Sequence, residues 1–202
     1  MRAPGHCRSP IPASAFDRPA PAIARALIGA RLVVRGAGGV VVETEAYTPD
    51  DPASHSHRGE TARNASMFGP PGHAYVYRSY GIHWCLNVVC ARGHAVLLRA
   101  LDPALGIDAM AARRGVAPDQ LRALCSGPGK LGQALAIGPD DDGARFDRLD
   151  FGFQPPTAPP KVLAGRRIGI SRAIERRWRF GLAGSPHVSR SFEAAHAPRE
   201  TG

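Results

Sequence analysis

Apolar positions Ala22, Ile23, Ala26 and Leu27 recur at helical spacing and stop at Gly29. Asp17 reads as the N-cap of that helix, with Pro19 and Pro21 where a helix begins. Arg31 to Arg35 and Val40 to Glu45 follow as valine-rich strands around Gly36-Ala37-Gly38-Gly39, a hairpin signal. From Tyr47 to Gly72 periodicity is lost, and unstructured stretches of that length in a compact domain are functional or disordered. Ala74 to Tyr80 and Ile82 to Cys90 read as paired strands, and Ala95 to Leu101 as an apolar strand interrupted by Arg99. Asp108 to Arg114 and Pro118 to Leu124 are predicted helical, and Ser126-Gly127-Pro128-Gly129-Lys130 opens a further helix through Ala136. Pro139 to Pro160 is an acidic, then proline-rich excursion, and Arg166 to Phe180 is strongly basic. Residues 1–15 read as a flexible lead and 193–202 as a flexible tail, leaving 16–192 as one domain without internal repeats.

Composition narrows the class. A chain of 202 residues buries roughly 70% of its unfolded surface, enough for one core. No run of eighteen apolar residues crosses a membrane, and no secretory signal opens the chain, so a cytoplasmic protein is expected, nucleoid-associated in a bacterium. The formal net charge is +9, and Lys130 and Lys161 are the only lysines, so arginine carries it. Arginine forks onto phosphate and stacks on flat rings, which suits nucleic acid, although GC-rich coding also raises Arg, Ala, Gly and Pro together. Cys7, Cys85, Cys90 and Cys125 form no C-x-x-C pair, and His55 and His57 lack partners at finger-like spacing, so no metal is expected.

Glu43 and Glu45 close a valine strand and point to one side, ~6.6 Å apart. Two carboxylates over an apolar floor suit a raised pKa and general-base work; an ion pair with nearby arginines suits the same spacing equally. Arg99, inside an apolar strand, needs a partner, and either glutamate supplies one. Tyr75, Tyr77, Tyr80 and Trp84 crowd one stretch; Tyr75 and Trp84 read as core, while Tyr80 before Gly81 is placed at a hairpin tip. Ser126 to Lys130 before a helix can set backbone N–H groups and an ammonium against a phosphate, although the P-loop spacing is absent.

Together, Val42-Glu43-Thr44-Glu45-Ala46-Tyr47, Ala53-Ser54-His55-Ser56, Arg63 to Phe68, Tyr75 to Gly81, Leu86-Asn87-Val88, Val96 to Leu101, Ser126 to Leu131, Arg167 to Ile170 and Gly184 to Ser189 resemble the alkyladenine (3-methyladenine) DNA glycosylase family. The resemblance runs from about Ala22 to Ser189. It implies a mixed α/β (α+β) single domain built on a curved antiparallel β-sheet with surrounding helices. It implies a base-excision enzyme that flips alkylated or deaminated purines (3-methyladenine, 7-methylguanine, hypoxanthine, ethenoadenine) from duplex DNA and hydrolyses the N-glycosidic bond. Residue by residue, it makes Glu45 the activator of water, helped by Arg99 and by a main-chain carbonyl near Ile168. Tyr47 and Tyr77 become walls for the flipped base, with His55 and Asn87 as pocket residues. Tyr80 enters the duplex, and Lys130, Ser126 and Gly127 meet the DNA backbone. No cofactor is implied, and the partner is double-stranded DNA met by a monomer. Scarce lysine predicts a monofunctional enzyme that leaves an abasic site. The rival readings are a catalytically inactive damage-binding or architectural protein on the same fold, an enzyme of free nucleosides, and an RNA-binding module.

Overall fold

A computed structural model describes residues 9–192. Helix α1 (Ala20–Ala26) has Pro19, not Asp17, at its N-cap, and it buries Ala20, Ile23 and Ala24, with Leu27 after it, whereas Ala22 is half-buried and Ala26 exposed. Strand β1 (Arg31–Val34) then turns into the long β2 (Ala37–Tyr47). The turn is shorter than the glycine run suggests: Arg35 and Gly36 alone make it, at φ 45° and 78°. Two successive left-handed residues match the twist of paired strands, so Gly38 and Gly39 are released into β2 itself. There they permit close approach, since a Cβ on Gly39 would lie 2.0 Å from the Asp102 carbonyl oxygen.

Strands β3 (Ala74–Ser79), β4 (His83–Val89) and β5 (Ala95–Leu105) continue the meander. Three helices follow: α2 (Ile107–Arg114), α3 (Leu121–Cys125) and α4 (Pro128–Ala134). Three short strands end the described chain: β6 (Phe151–Gln154), β7 (Val162–Gly165) and β8 (Arg179–Leu182). The main path runs β3-β4-β5-β2-β1-β6, with β8 branching from β2 and β7 from β8. All described pairings are antiparallel. The result is the expected mixed α/β (α+β) single domain on a curved antiparallel sheet.

β2 is the axis of this sheet. One edge pairs with β5 along its length; the other pairs first with β1 and then, at Glu43 to Glu45, with β8. Register shifts at Glu43 bend the β2–β5 ladder there, and bulges of this kind re-aim side chains.

Ile11, in the described part of the lead, donates its N–H to the Phe153 carbonyl (2.6 Å), and Phe16, where the domain begins, is buried with its ring 5.8 Å from that of Phe153. Burying one such ring stabilises by about 1.5–3 kcal/mol, which is why a proline-rich segment without periodicity is held. The Pro139–Pro160 excursion likewise supplies β6, which pairs with β1 and completes a Phe146–Phe151–Phe153 cluster. Cys7 and the 193–202 tail lie outside the described residues.

Candidate active site

Period-2 alternation in β2 turns Glu43 and Glu45 to the same side, and both are fully buried. β5 supplies Arg99 opposite them. Its guanidinium donates from Nε to Glu43 Oε1 (3.1 Å) and from Nη1 to Glu45 Oε2 (3.2 Å). Both carboxylates are thus ion-paired, the second of the two sequence alternatives, and Arg99 serves both at once. Glu45 takes two further donors: the Tyr47 hydroxyl on Oε2 (2.9 Å) and the Ile168 backbone N–H on Oε1 (2.7 Å). Main chain at Ile168 thus reaches the carboxylate itself, through its N–H. Burial raises the Glu45 pKa above the ordinary carboxylate range; Arg99, the Ile168 N–H and Tyr47 pull it back, and the charge of Glu43 adds to the rise. Burial, then the Glu45 charge, pushes Tyr47 well above its usual value and keeps it a neutral donor.

Above this pair opens a cleft of about 470 Å³. Its lining includes Tyr47, His55, Tyr77, Asn87, Arg99 and Ile168, and Glu45 lies directly beneath Tyr47, Arg99 and Ile168. Tyr77 meets the His55 ring edge-on at 4.6 Å, and His55 Nδ1 pairs with the Tyr75 hydroxyl at 2.7 Å. Burial of this face lowers the His55 pKa, which favours the neutral ring. His55 stands on the long 47–72 loop, and buried Asn64 fixes it by donating to the His55 carbonyl (2.8 Å) and the Gly59 carbonyl (3.1 Å). Asn87 is buried and donates to the Tyr75 carbonyl (2.9 Å). Among the described residues no three His, Cys, Asp or Glu side chains gather as metal ligands.

At the cleft's rim the β3–β4 hairpin turns through Tyr80 and Gly81, at φ 49° and 71°, closed by the Ile82 N–H on the Ser79 carbonyl (3.0 Å). Tyr80 is 87% exposed, far beyond what a core aromatic shows, and Ile82 beside it is 68% exposed. Ile82 escaped the sequence reading because it continues an apolar strand pattern.

The Ser126–Lys130 segment has another reason for its glycines. A Cβ on Gly129 would meet the His83 ring at 2.7 Å, and one on Gly132 the Trp84 carbonyl oxygen at 2.1 Å. They let α4 lie close on β4. Lys130 is exposed and Ser126 half-buried beside β5, whereas the Gly127 N–H is already given to the Cys125 carbonyl (3.1 Å).

Several residues at the site were given no role by the sequence. Arg167 and Asp51 form a completely buried ion pair, and the Arg167 guanidinium stacks behind the Tyr47 ring at 4.8 Å. Arg179 is buried against Glu43 (2.6 Å), and Ser189 gives that carboxylate its N–H (2.5 Å) and hydroxyl (2.9 Å). Two arginines of the basic 166–180 stretch are therefore spent on buried carboxylates, leaving Arg166, Arg172 and Arg177 among its exposed cations. Two glutamates in a valine strand were the available clue, since buried charge of that density needs matching cations.

Known proteins are similar to this chain over most of its length. The model of the methylpurine-DNA glycosylase family matches residues 14–186. A protein of Agrobacterium fabrum is 59% identical over 183 residues, 91% of this chain and 94% of its own. Relatives from Rhizobium meliloti (58% identical, 88% of this chain and 95% of the relative) and Nitrosospira multiformis (56% identical, 84% and 89%) are similar. All three carry the name "Putative 3-methyladenine DNA glycosylase".

Proposed function

Since the chain belongs to the methylpurine-DNA glycosylase family, we propose that it excises damaged purines from duplex DNA with Glu45 as the base. Membership makes it a DNA-repair hydrolase of N-glycosyl bonds with DNA as substrate. The finer reading rests on one observation: a buried carboxylate, made more basic by burial, lies under an aromatic cleft beside an exposed tyrosine.

A base inside a duplex is out of reach, so the nucleotide must be extruded at a cost of a few kcal/mol. Tyr80, with Ile82, is the wedge that fills the gap. The extruded purine stacks between Tyr47 and Tyr77, where a cationic alkylpurine gains about 0.5–2 kcal/mol from the ring faces. His55 and Asn87 meet its edges. A carboxylate offers about four acceptor positions; Arg99, Tyr47 and Ile168 take three on Glu45, and a water takes the fourth. Glu45 removes a proton from that water as its oxygen attacks C1′. The C1′–N bond breaks, and its electron pair leaves with the base, which departs neutral if it was cationic. A neutral purine such as hypoxanthine or ethenoadenine needs a proton as well. Lys130, Ser126 and the exposed arginines contact the backbone. No lysine lines the cleft among the described residues, which supports hydrolysis that leaves an intact abasic site. We place the enzyme in the cytoplasm, acting as a monomer.

The test is single-turnover release of a cationic 7-alkylguanine across pH. Activity requires ionised Glu45, so the rate should climb with pH through a pKa above the ordinary carboxylate range and then level. Glu45→Gln should lose about 10²–10⁴-fold while keeping its DNA affinity. A normal rate in the Glu45→Gln variant would overturn the assignment.

A further inference from the structure

Glu43 is as buried as Glu45, and neither lines the cleft. Glu45 bonds the lining residues Tyr47, Arg99 and Ile168, whereas Glu43 bonds only Arg99 among them, and the mechanism above leaves Glu43 without a task. Its partners come from three separated parts of the chain. Arg99 on β5 donates Nε (3.1 Å), Arg179 on β8 donates Nε (2.6 Å), and Ser189 donates both N–H (2.5 Å) and hydroxyl (2.9 Å). Arg99 also reaches the Ser189 Oγ from Nη2 (3.4 Å). Each of the three guanidinium nitrogens therefore has its own acceptor: Nε on Glu43, Nη2 on Ser189, Nη1 on Glu45.

That division is informative. An arginine alone with a carboxylate forks two parallel N–H donors onto it. Such a fork on Glu45 would occupy the acceptor position that the attacking water needs and would hold the base more acidic. Glu43 and Ser189 keep two of the three nitrogens elsewhere, so Glu45 receives one.

We propose that Glu43 and Ser189 are positioning residues for excision, holding Arg99 to a single contact with Glu45 and keeping the base open to water. The inference rests on the reading of Glu45 as that base. Ser189 is in turn fixed by a latch in the last described residues. Arg179 donates Nη1 to the Ser191 carbonyl (3.4 Å) and Nη2 to the Arg190 carbonyl, and its guanidinium covers the Phe192 ring at 4.0 Å. That ring also lies against two glycines. A Cβ on Gly181 would come within 2.2 Å of it and one on Gly165 within 3.0 Å. A slot of two glycines on adjacent strands, filled by one ring, explains why neither position carries a side chain.

The groups facing Glu45 are Glu43 and Tyr47 on β2, Tyr77 on β3, Arg99 on β5, Arg167 after β7 and Arg179 opposite it on β8. Converting Glu43 to an amide removes one negative charge from this set and weakens its hold on the Arg99 Nε. The test compares Glu43→Gln, Ser189→Ala and Ser189→Thr with wild type. It measures single-turnover excision of a 7-alkylguanine duplex across pH, DNA affinity and thermal unfolding. Glu43→Gln should excise about a hundredfold more slowly at unchanged DNA affinity, and its acid limb should move down by about one pH unit. Ser189→Ala should move rate and limb in the same directions by less, and Ser189→Thr, which keeps the hydroxyl, should restore both. If Glu43→Gln does not fold, the alanine–threonine pair decides alone. Rates that fall only in step with melting temperature, with the acid limb in place, would make these residues structural and overturn the proposal. So would wild-type kinetics in every variant. Glu45→Gln serves as the control: if it excises normally the base is misassigned, whereas an inert Glu45→Gln beside unaffected Glu43 and Ser189 variants refutes this inference alone.

Discussion

Arg167 shows how far a single residue can serve the site without touching a substrate. Its guanidinium pairs with Asp51, donates Nη1 to the Ala46 carbonyl (2.9 Å) and stacks between Tyr47 (4.8 Å) and Trp178 (5.5 Å). The Tyr47 ring is thereby backed by a rigid, charged plate. Removing one partner of a buried pair leaves the other charge uncompensated, so Asp51→Ala should cost about 3–5 kcal/mol in urea unfolding. Asp51→Ala with Arg167→Met should recover part of that loss. A single-variant cost below about 1 kcal/mol would mean that water reaches Arg167 and the plate is not closed. Glu43, Glu45 and Arg99 were legible from sequence because each is a charge in an apolar strand. Arg167 and Asp51 were not, since one lies in a basic run and the other in a polar loop, and only the fold joins them. The same limit hid Arg179 and Ser189.

Among the elements, the β3–β4 hairpin and α4 carry the contrast between what pattern predicts and what packing decides. Alternating aromatics and Gly81 located the hairpin and its tip, and Tyr80 stands exposed there. The turn holds Tyr80 at φ 49°, a conformation few side chains adopt freely. Replacing Tyr80 by Ala should slow excision from duplex DNA by an amount equivalent to the ~1–3 kcal/mol of lost stacking. Excision of the same lesion from a single strand, where no gap needs filling, should change little. Equal losses on both substrates would mean that Tyr80 supports the pocket and not the duplex. For α4 the glycines read as a phosphate cradle, and packing supplies a second reason for one of them, since Gly129, with Gly132, lets the helix seat on β4. Close approach of two backbones has the same sequence signature as close approach to a ligand. β6 was missed for a different reason, since four residues of edge strand in a proline-rich stretch lack any period long enough to read.

At the scale of the whole molecule, arginine serves two ends. Arg99, Arg167 and Arg179 are buried and neutralise Glu43, Glu45 and Asp51, so the excess of +9 falls largely to exposed residues. Affinity for undamaged duplex DNA should therefore drop steeply with salt, by about 10³–10⁵ between 50 and 200 mM if six to ten phosphates are neutralised. An affinity indifferent to salt would point to a partner other than a polyanion. One sheet axis, β2, ties the two ends together: its carboxylates face the buried cations, and the tyrosine that closes it lines the cleft. We expect this assembly to hydrolyse a glycosidic bond and stop there. Duplex oligonucleotides bearing one ethenoadenine, hypoxanthine or methylpurine lesion, incubated with wild type and with Glu45→Gln, test it once split with and without hot alkali. Strand cleavage should appear only after alkali and only with wild type. Retained DNA binding by both proteins without cleavage of any lesion would contradict it and leave a damage-binding protein in its place.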